Sequence, residues 1–400
     1  MTVAGESAGR AALPGAAALD SEDQAEVRAL VRSILDREIT DDRVRKLDEA
    51  EEFDHDLYSR LGETGLVSLG VGTEDTEHPD VRHQVAVIEE LASGPTSMAV
   101  CFVVQYMGVQ LLTAYGTPQQ REQVLAPLLE GSARVSFALT EPDGGTDVAR
   151  AMRTRAEHDG DGWVLNGTKT WISGPKVADY AIVVARTGPP EPTSIDGITM
   201  FLVPLGADGV HARALDTIGI HSLDTCEVTF EDVRLPAESV LGEAGSGFRQ
   251  VLGTLNQERM NAAAAALGIA RGAFESALDY AHQRSAFGKP IGGFQTLQHR
   301  LVDSGVRIES ARGLLSNAAA AVVDGRRGDV LSAMAKVAAS EAATEVTDNG
   351  MRLLGGAGFS REFAMQRYFR DARLYTFAPL TDEMMHNYLG QQMLGLPRSY

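Results

Sequence analysis

Between residues 20 and 131, apolar positions recur every three or four residues, the spacing of one helix face. SEDQAEVRALVRSILDREI puts Val27, Leu30, Val31, Ile34 and Leu35 on one side of a helix and opens on Ser21, a good N-cap. VRHQVAVIEELAS and TPQQREQVLAPLLEG repeat the period, the second opening on a Thr-Pro start and closing at Gly131. Near Ala133 the texture changes. RVSFALT, GWVLNGTKTWIS, YAIVVART, GITMFLVP and CEVTFEDVRL are short, rich in β-branched and aromatic residues, and parted by Gly, Asp or Pro. They predict a small antiparallel sheet or barrel, with RTGPPEPTSIDG (186–197) as a surface loop. After Leu241 the helical period returns. GFRQVLGTLNQERMNAAAAALGIARGAFESALDYAHQR predicts one helix of roughly forty residues, apolar nearly all round in its Ala-rich middle and so buried on several sides. Two more long helices are expected over 290–323 and 327–353. The fold class is mainly α with a middle β-domain: a flexible tail over 1–20, an N-terminal helical domain over 21–132, the β-domain over 133–240 and a C-terminal helical bundle over 241–400.

Composition narrows the partners. With 44% hydrophobic and 23% charged residues this is an ordinary globular chain. No apolar stretch reads as long enough to cross a bilayer, so no membrane partner is expected. A formal charge of −19 without an offsetting basic block argues against nucleic acid. Cys101 and Cys226 are too few for a disulfide framework or a metal site, which points to a reducing compartment. The first twenty residues contain one Arg and no apolar core, unlike a transit or signal peptide, and a cytoplasmic location is expected.

One stretch resists the helical logic. In LNQERMNAAAAALGIARGAF, Glu258 shares a face with Val251 and Leu255 behind it and Ala262, Ala265 and Ile269 ahead. An ionised carboxylate is costly there. The residues alone leave two readings: a buried Glu paired with its neighbour Arg259, or a group whose chemistry needs that setting. Other strings are chemically suggestive. SFALTEPDGGTDV is a strand running into a Gly-containing turn of the kind that offers backbone N–H groups to a ligand. NGTKTWIS sets Trp171 beside small hydroxyl residues, as a core residue or as a ligand platform. QRSAFGKPIGGFQTLQ, MRLLGGAGFSREF and YFRDARLYTFAPLTDEMM complete the set.

In this order and spacing, ALTEPDGGTDV, GTKTWIS, RSAFGKPI and FRDAR together resemble the acyl-CoA dehydrogenase family of flavoproteins over essentially the whole chain after the tail. The resemblance implies an N-terminal α-domain, a barrel-like middle β-domain and a C-terminal four-helix bundle, with FAD at their junction and a homotetramer built from dimers. It implies that Phe137, Leu139, Thr140, Gly145 and Thr146 line the flavin, with Thr146 also at the substrate. Trp171 and Ile172 would cover the ring, and Ser173 would offer a donor to it. Arg284, Phe287 and Gln295 would reach the FAD of a neighbouring subunit, the Arg fork suiting a pyrophosphate. Arg352, Leu353, Leu354, Gly355 and Gly356 match another FAD-contacting loop, with Arg352 where Gln is common. Thr381, Asp382 and Glu383 match the last FAD contact, and Asn256 and Arg259 match contacts to the thioester and its pantetheine arm.

Most members of the family carry their base as Glu in a Tyr-Glu-Gly-Thr string near the C-terminus. Here that string is Ala378-Pro379-Leu380-Thr381, with proline in place of the Glu. A minority, including isovaleryl- and long-chain acyl-CoA dehydrogenases, places the Glu on the long helix before an Arg, and Glu258 matches that position. Desolvation raises a carboxylate's pKa, which suits a base working near neutrality. Pro379 also lacks the N–H that in the family helps hold the thioester oxygen, so a neighbouring N–H or a more acidic substrate such as an enoyl thioester is required. Ala378 and Leu380 would line the acyl site, and Leu380 in place of Gly favours a short or compact acyl group. The implied function is FAD-dependent dehydrogenation of an acyl-CoA, with electrons passing to an electron-transfer flavoprotein. The alternatives are a biosynthetic relative acting on an acyl-carrier-protein thioester, aided by a basic patch at Arg326–Arg327, an oxygen-using relative, and a flavin-binding protein that has lost catalysis.

Overall fold

The computed structural model describes residues 13, 19–69 and 80–399. Apart from Leu13, Leu19 and Asp20, the tail expected over 1–20 lies outside those residues. The first described helix, Glu22–Glu38, starts where Ser21 Oγ accepts the Gln24 N–H. Val31 and Ile34 enter the core, but Leu30 is exposed, so the buried stripe is narrower than its apolar pattern. Helices Asp41–Ala50, His55–Glu63, Val81–Ala92 and Thr96–Tyr115 follow, then a helical run over 118–129 that widens into a π-turn at Arg121–Leu125.

Thr96–Tyr115 corrects one expectation. By length and composition it could cross a membrane, although 67% of its apolar window is buried inside the protein. Its Phe102 and Tyr106 pack edge to face and join the Tyr58 ring in the main core. Gln105 and Gly108, which interrupt its apolar run, are used locally. The Gln105 amide exchanges hydrogen bonds with the Val135 backbone, and a Cβ on Gly108 would collide with Val135.

The middle region is one sheet in the order β6-β7-β3-β2-β4-β5-β8, with β1 also on β4. The strands are β1 Val135–Ala138, β2 Arg155–Asp159, β3 Gly162–Ser173, β4 Tyr180–Arg186, β5 Ile198–Pro204, β6 Val210–Ala214, β7 Thr225–Pro236 and β8 Val240–Leu241. It is mixed, not purely antiparallel, because β1 and β2 both run parallel to β4. The period of two in β4 sends Val183 into a core within the sheet and Ile182 and Val184 into the core shared with the helices. β2 and β6 are short and largely exposed, so their sequences carry little strand signal.

The C-terminal bundle is built from Leu255–Gln283, Gln295–Val323, Asp329–Leu354 and Asp382–Gln392. The single helix of roughly forty residues does not form. Gly247–Leu252 is a separate helix, and the chain breaks at Gly253 and Thr254. The first piece is held to β5: the Gly245 N–H donates to Thr199 Oγ1, and Gly247 lies against the Met200 backbone so closely that a Cβ would clash. The Thr254 hydroxyl then bonds the Val251 carbonyl across the break. Val251 therefore belongs to a different helix, and the apolar stripe around Glu258 keeps Leu255 behind it and Ala262, Ala265 and Ile269 ahead. Close packing of the bundle on the N-terminal helices needs Gly268, where a Cβ would sit 2.3 Å from the Glu89 carbonyl oxygen.

Candidate functional site

The turn after β1 is tied to the end of β3 by a buried ion pair. Lys169 Nζ donates to Glu141 Oε1 and to the Leu139 carbonyl, both at 2.8 Å, and the Thr170 N–H donates to the Thr140 carbonyl at 2.9 Å. The other Glu141 contacts come from the Arg153 and Thr154 N–H groups. Burial opposes the charge on Glu141, but the Lys169 ammonium and these hydrogen bonds outweigh it and hold the carboxyl below its usual range. At the far end of β3, Ser136 Oγ donates to the Ser173 carbonyl. Phe137, Leu139, Thr140, Trp171, Ile172 and Ser173 are thus brought together on one fixed frame.

Within that frame Trp171 is unusual. The β3–β7 register shifts between Lys169 and Ile172, and Trp171 adopts φ +61° with 63% of its surface exposed. A bulky residue in the left-handed region, with an indole facing solvent, is a costly arrangement of the kind found at ligand sites. Ile172 differs from the expectation: it is buried in the core of the sheet and does not face outward. Thr146 and Gly145 are exposed on the turn, and no heavy atom lies within 4 Å of where a Gly145 Cβ would be.

Glu258 lies in the first turn of Leu255–Gln283, its N–H bonded to the Thr254 carbonyl. The residue is half-buried, and its carboxyl is pushed up to about 7 because burial penalises the charge more than neighbouring Arg259 offsets it. Arg259 is buried and, among the described residues, forms no ion pair. Its guanidinium lies 4.7 Å from the centre of the Tyr388 ring and 3.4 Å from Asn256 Oδ1. Ser332 Oγ approaches the same Asn256 oxygen. Near the C-terminus, the Ala378 N–H donates to the Leu374 carbonyl, Pro379 has none, and the Leu380 N–H has no partner among the described residues.

The remaining candidates are placed elsewhere. Arg284, Phe287 and Gln295 are exposed around the small hairpin that follows the long helix. Phe287 takes φ +51° and is 96% exposed, touching the Phe294 ring edge to face. Arg352 pairs with Asp348, Leu353 and Leu354 bury their side chains, and Gly355 and Gly356 present open backbone. Thr381 caps the last helix through the Met384 N–H. The Asp382 carboxylate is committed to Lys336 and Ser340, which anchors that helix, while Glu383 is exposed. The expected basic patch is neutralised: Arg326 pairs with Asp324 and Arg327 with Asp329. Among the described residues no cluster of His, Cys, Asp or Glu is arranged to hold a metal ion.

Exposed Trp171 and Phe287 on left-handed backbone, with Gly145, Gly355 and Gly356 free of any neighbour where a Cβ would stand, fit a large flat group with phosphates. The residues present therefore suit FAD. Sequence reasoning missed Glu141, Lys169 and Tyr388. A signal existed for Lys169, because strand alternation puts it on the buried side with Trp163 and Leu165, where a lysine needs a carboxylate.

Comparison with known proteins agrees with this geometry. Sequence profiles of the acyl-CoA dehydrogenase N-terminal, middle and C-terminal domains match residues 21–132, 136–233 and 245–394. The chain is 37% identical over 360 residues to a mitochondrial short-chain specific acyl-CoA dehydrogenase of Bos taurus, covering 88% of this chain and 86% of that one. Butyryl-CoA dehydrogenase from Megasphaera elsdenii superposes with a TM-score of 0.88 at 32% identity, over 94% of this chain and 99% of that one. A glutaryl-CoA dehydrogenase from Mycobacterium smegmatis in complex with FADH2 gives 0.89 at 27% identity, over 96% and 97%.

Proposed function

The chain belongs to the acyl-CoA dehydrogenase family, FAD-dependent oxidoreductases acting on the CH–CH group of acyl-CoA, and from that premise we propose that Glu258 is the base. The observation that carries this is the Glu258 carboxyl itself: half-buried, with no carboxylate-binding partner among the described residues beyond the charge of Arg259, and pushed up to about 7 by burial. A carboxylate with that pKa takes up a proton readily at neutral pH, and its neutral product suits the apolar stripe. The Glu258 carboxylate removes the proton α to the thioester carbonyl. Bound FAD supplies the acceptor for the hydride leaving the β-carbon. Arg259 and Asn256 orient the thioester and its pantetheine arm from the same helical turn. With the Ala378 N–H committed and Pro379 lacking one, the Leu380 N–H is the donor left for the thioester oxygen. The Leu380 side chain narrows the acyl site, so the substrate is a short or compact acyl-CoA. An electron-transfer flavoprotein takes the electrons, and Arg284, Phe287 and Gln295 complete the FAD site of a neighbouring subunit in a homotetramer.

Anaerobic bleaching of the flavin absorbance across a panel of acyl-CoA thioesters tests this. Short or branched acyl groups should bleach fastest, and Glu258→Gln should bleach more slowly by about 10³-fold or more. Preference for long unbranched chains would overturn the compact site, and bleaching by Glu258→Gln at the wild-type rate would overturn the base.

A further inference from the structure

We propose that Tyr388 is a positioning residue: its ring is the pedestal that holds the Arg259 guanidinium beside Glu258, leaving the guanidinium's charge free for the acyl thioester and the base. The inference rests on Glu258 being the base. A buried arginine normally spends its charge on a carboxylate, as Arg28, Arg271 and Arg312 do in this protein. Arg259 does not. Among the described residues its Nε has no hydrogen-bond partner, and its Nη1 meets Asn256 Oδ1 at 3.4 Å. What holds it is the face of Tyr388, 4.7 Å away, a contact whose strength grows with desolvation.

Tyr388 is fixed in turn. Its hydroxyl donates to Asp329 Oδ2 at 2.7 Å, and Arg327 Nη2 donates to the same oxygen at 2.7 Å. Asp329, at the start of Asp329–Leu354, already carries Arg327 and the tyrosine hydroxyl, and these hold its carboxyl down to about 2. The groups meeting Arg259 are therefore Glu258 and Asn256 on its own helix, Ser332 through Asn256, Tyr388 on the last helix, and behind Tyr388 the Asp329–Arg327 pair. The pair is neutral as a unit. Among the described residues Arg259 remains the one uncompensated charge beside the base, and the one group that lowers the Glu258 pKa against burial. A carboxylate in place of the aromatic ring would hold the arginine as firmly but would cancel its charge. The ring supplies the hold without the cancellation.

The test compares Tyr388→Leu with Tyr388→Phe in the FAD-loaded enzyme, using butanoyl-CoA as the probe and single-turnover flavin bleaching as the readout. Removing the ring should raise KM about tenfold and move the midpoint of the pH–rate profile up by about one unit, as the charge beside Glu258 loosens. Tyr388→Phe, which keeps the ring and loses the hydroxyl with its bond to Asp329, should stay within about twofold of wild type on both measures. A Tyr388→Phe as defective as Tyr388→Leu would overturn the pedestal in favour of the hydroxyl. A Tyr388→Leu with unchanged KM and unchanged profile would overturn it outright. Should Tyr388→Leu not fold, Arg259→Lys serves instead: lysine keeps the charge but not the flat stack, and a wild-type profile there would equally overturn the proposal. Glu258→Gln is run alongside, because persistent bleaching in that variant would remove the base itself and not the pedestal.

Discussion

Two carboxylate sites on neighbouring helices show how the same chemical group is put to opposite uses. Glu89 and Glu90 sit on Val81–Ala92, buried, and receive Arg28, Arg32, Arg271 and Arg312 from three other helices. Glu258 sits on Leu255–Gln283, the helix that also supplies Arg271, about 20 Å further along at 1.5 Å per residue. Burial opposes ionisation at all three. At Glu89 the charges of Arg28, Arg312 and Arg271 overcome it and hold the carboxyl far below the usual range, while at Glu258 only Arg259 pulls the other way and the carboxyl rises to about 7. The difference lies in how many guanidinium groups are within reach, not in burial. A carboxylate crowded by arginines cannot accept a proton near neutrality and serves as a structural anchor. A carboxylate with one arginine, itself held by a tyrosine, can work as a base.

The most direct way to break the comparison is to remove each carboxyl in turn. Glu258→Gln should lower the rate of flavin reduction by about 10³-fold or more, within the range for a positioned base, while leaving the protein folded. In wild type the same rate should rise about tenfold per pH unit below 7 and level off above it, because only the ionised form accepts the proton. Glu89→Gln should do the reverse. Activity per folded molecule should change little, while stability falls by about 3–5 kcal/mol, since Arg28 and Arg312, from two different helices, would each lose a buried carboxylate partner. Denaturant titration at fixed protein and FAD concentration measures that loss. A Glu89→Gln protein as stable as wild type would mean that the cluster is decorative.

What the sequence revealed divides along the same line. Periodicity carried the Ser21 cap, the strands β1, β3, β4, β5 and β7, and the long helices, because each records a local alternation of buried and exposed positions. Glu258 was legible for the same reason: a charge within an apolar stripe is a local anomaly. Features made by distant contacts were not legible. The break at Gly253 and Thr254 follows from the docking of Gly247–Leu252 on β5, and nothing in the Ala-rich pattern marks it. The length of Thr96–Tyr115 was hidden by polar residues that turned out to be buried in it. The Lys169–Glu141 pair spans 28 residues and the Arg259–Tyr388 stack more than a hundred, so neither has a signature within one element. Trp171 was quoted as a candidate, but its exposure depends on a bulge and a left-handed backbone that a strand pattern conceals.

The smallest expected effect sharpens the comparison most, because it reverses the sign of an ordinary mutation. The folded-state pKa of Glu258, about 7, is above its ordinary value of 4.5, so the native state binds that proton more tightly than the unfolded chain does. Its contribution is fully favourable below about pH 4.5 and is lost as pH rises through 7. Glu258→Gln cannot ionise and escapes that loss. The variant should match wild type near pH 5 and be more stable by about 2 kcal/mol near pH 8, allowing for the half-burial of the residue. Glu89 has the opposite linkage: its pKa is depressed, so its stabilisation is present at neutral pH and disappears in acid. Thermal midpoints of the two Gln variants and wild type, followed across pH with FAD held constant, should therefore diverge in opposite directions, the Glu258 variant pulling ahead as pH rises and the Glu89 variant closing its deficit as pH falls. Parallel curves would mean that the two carboxyls feel the same environment, and the distinction between anchor and base drawn from their arginines would fail.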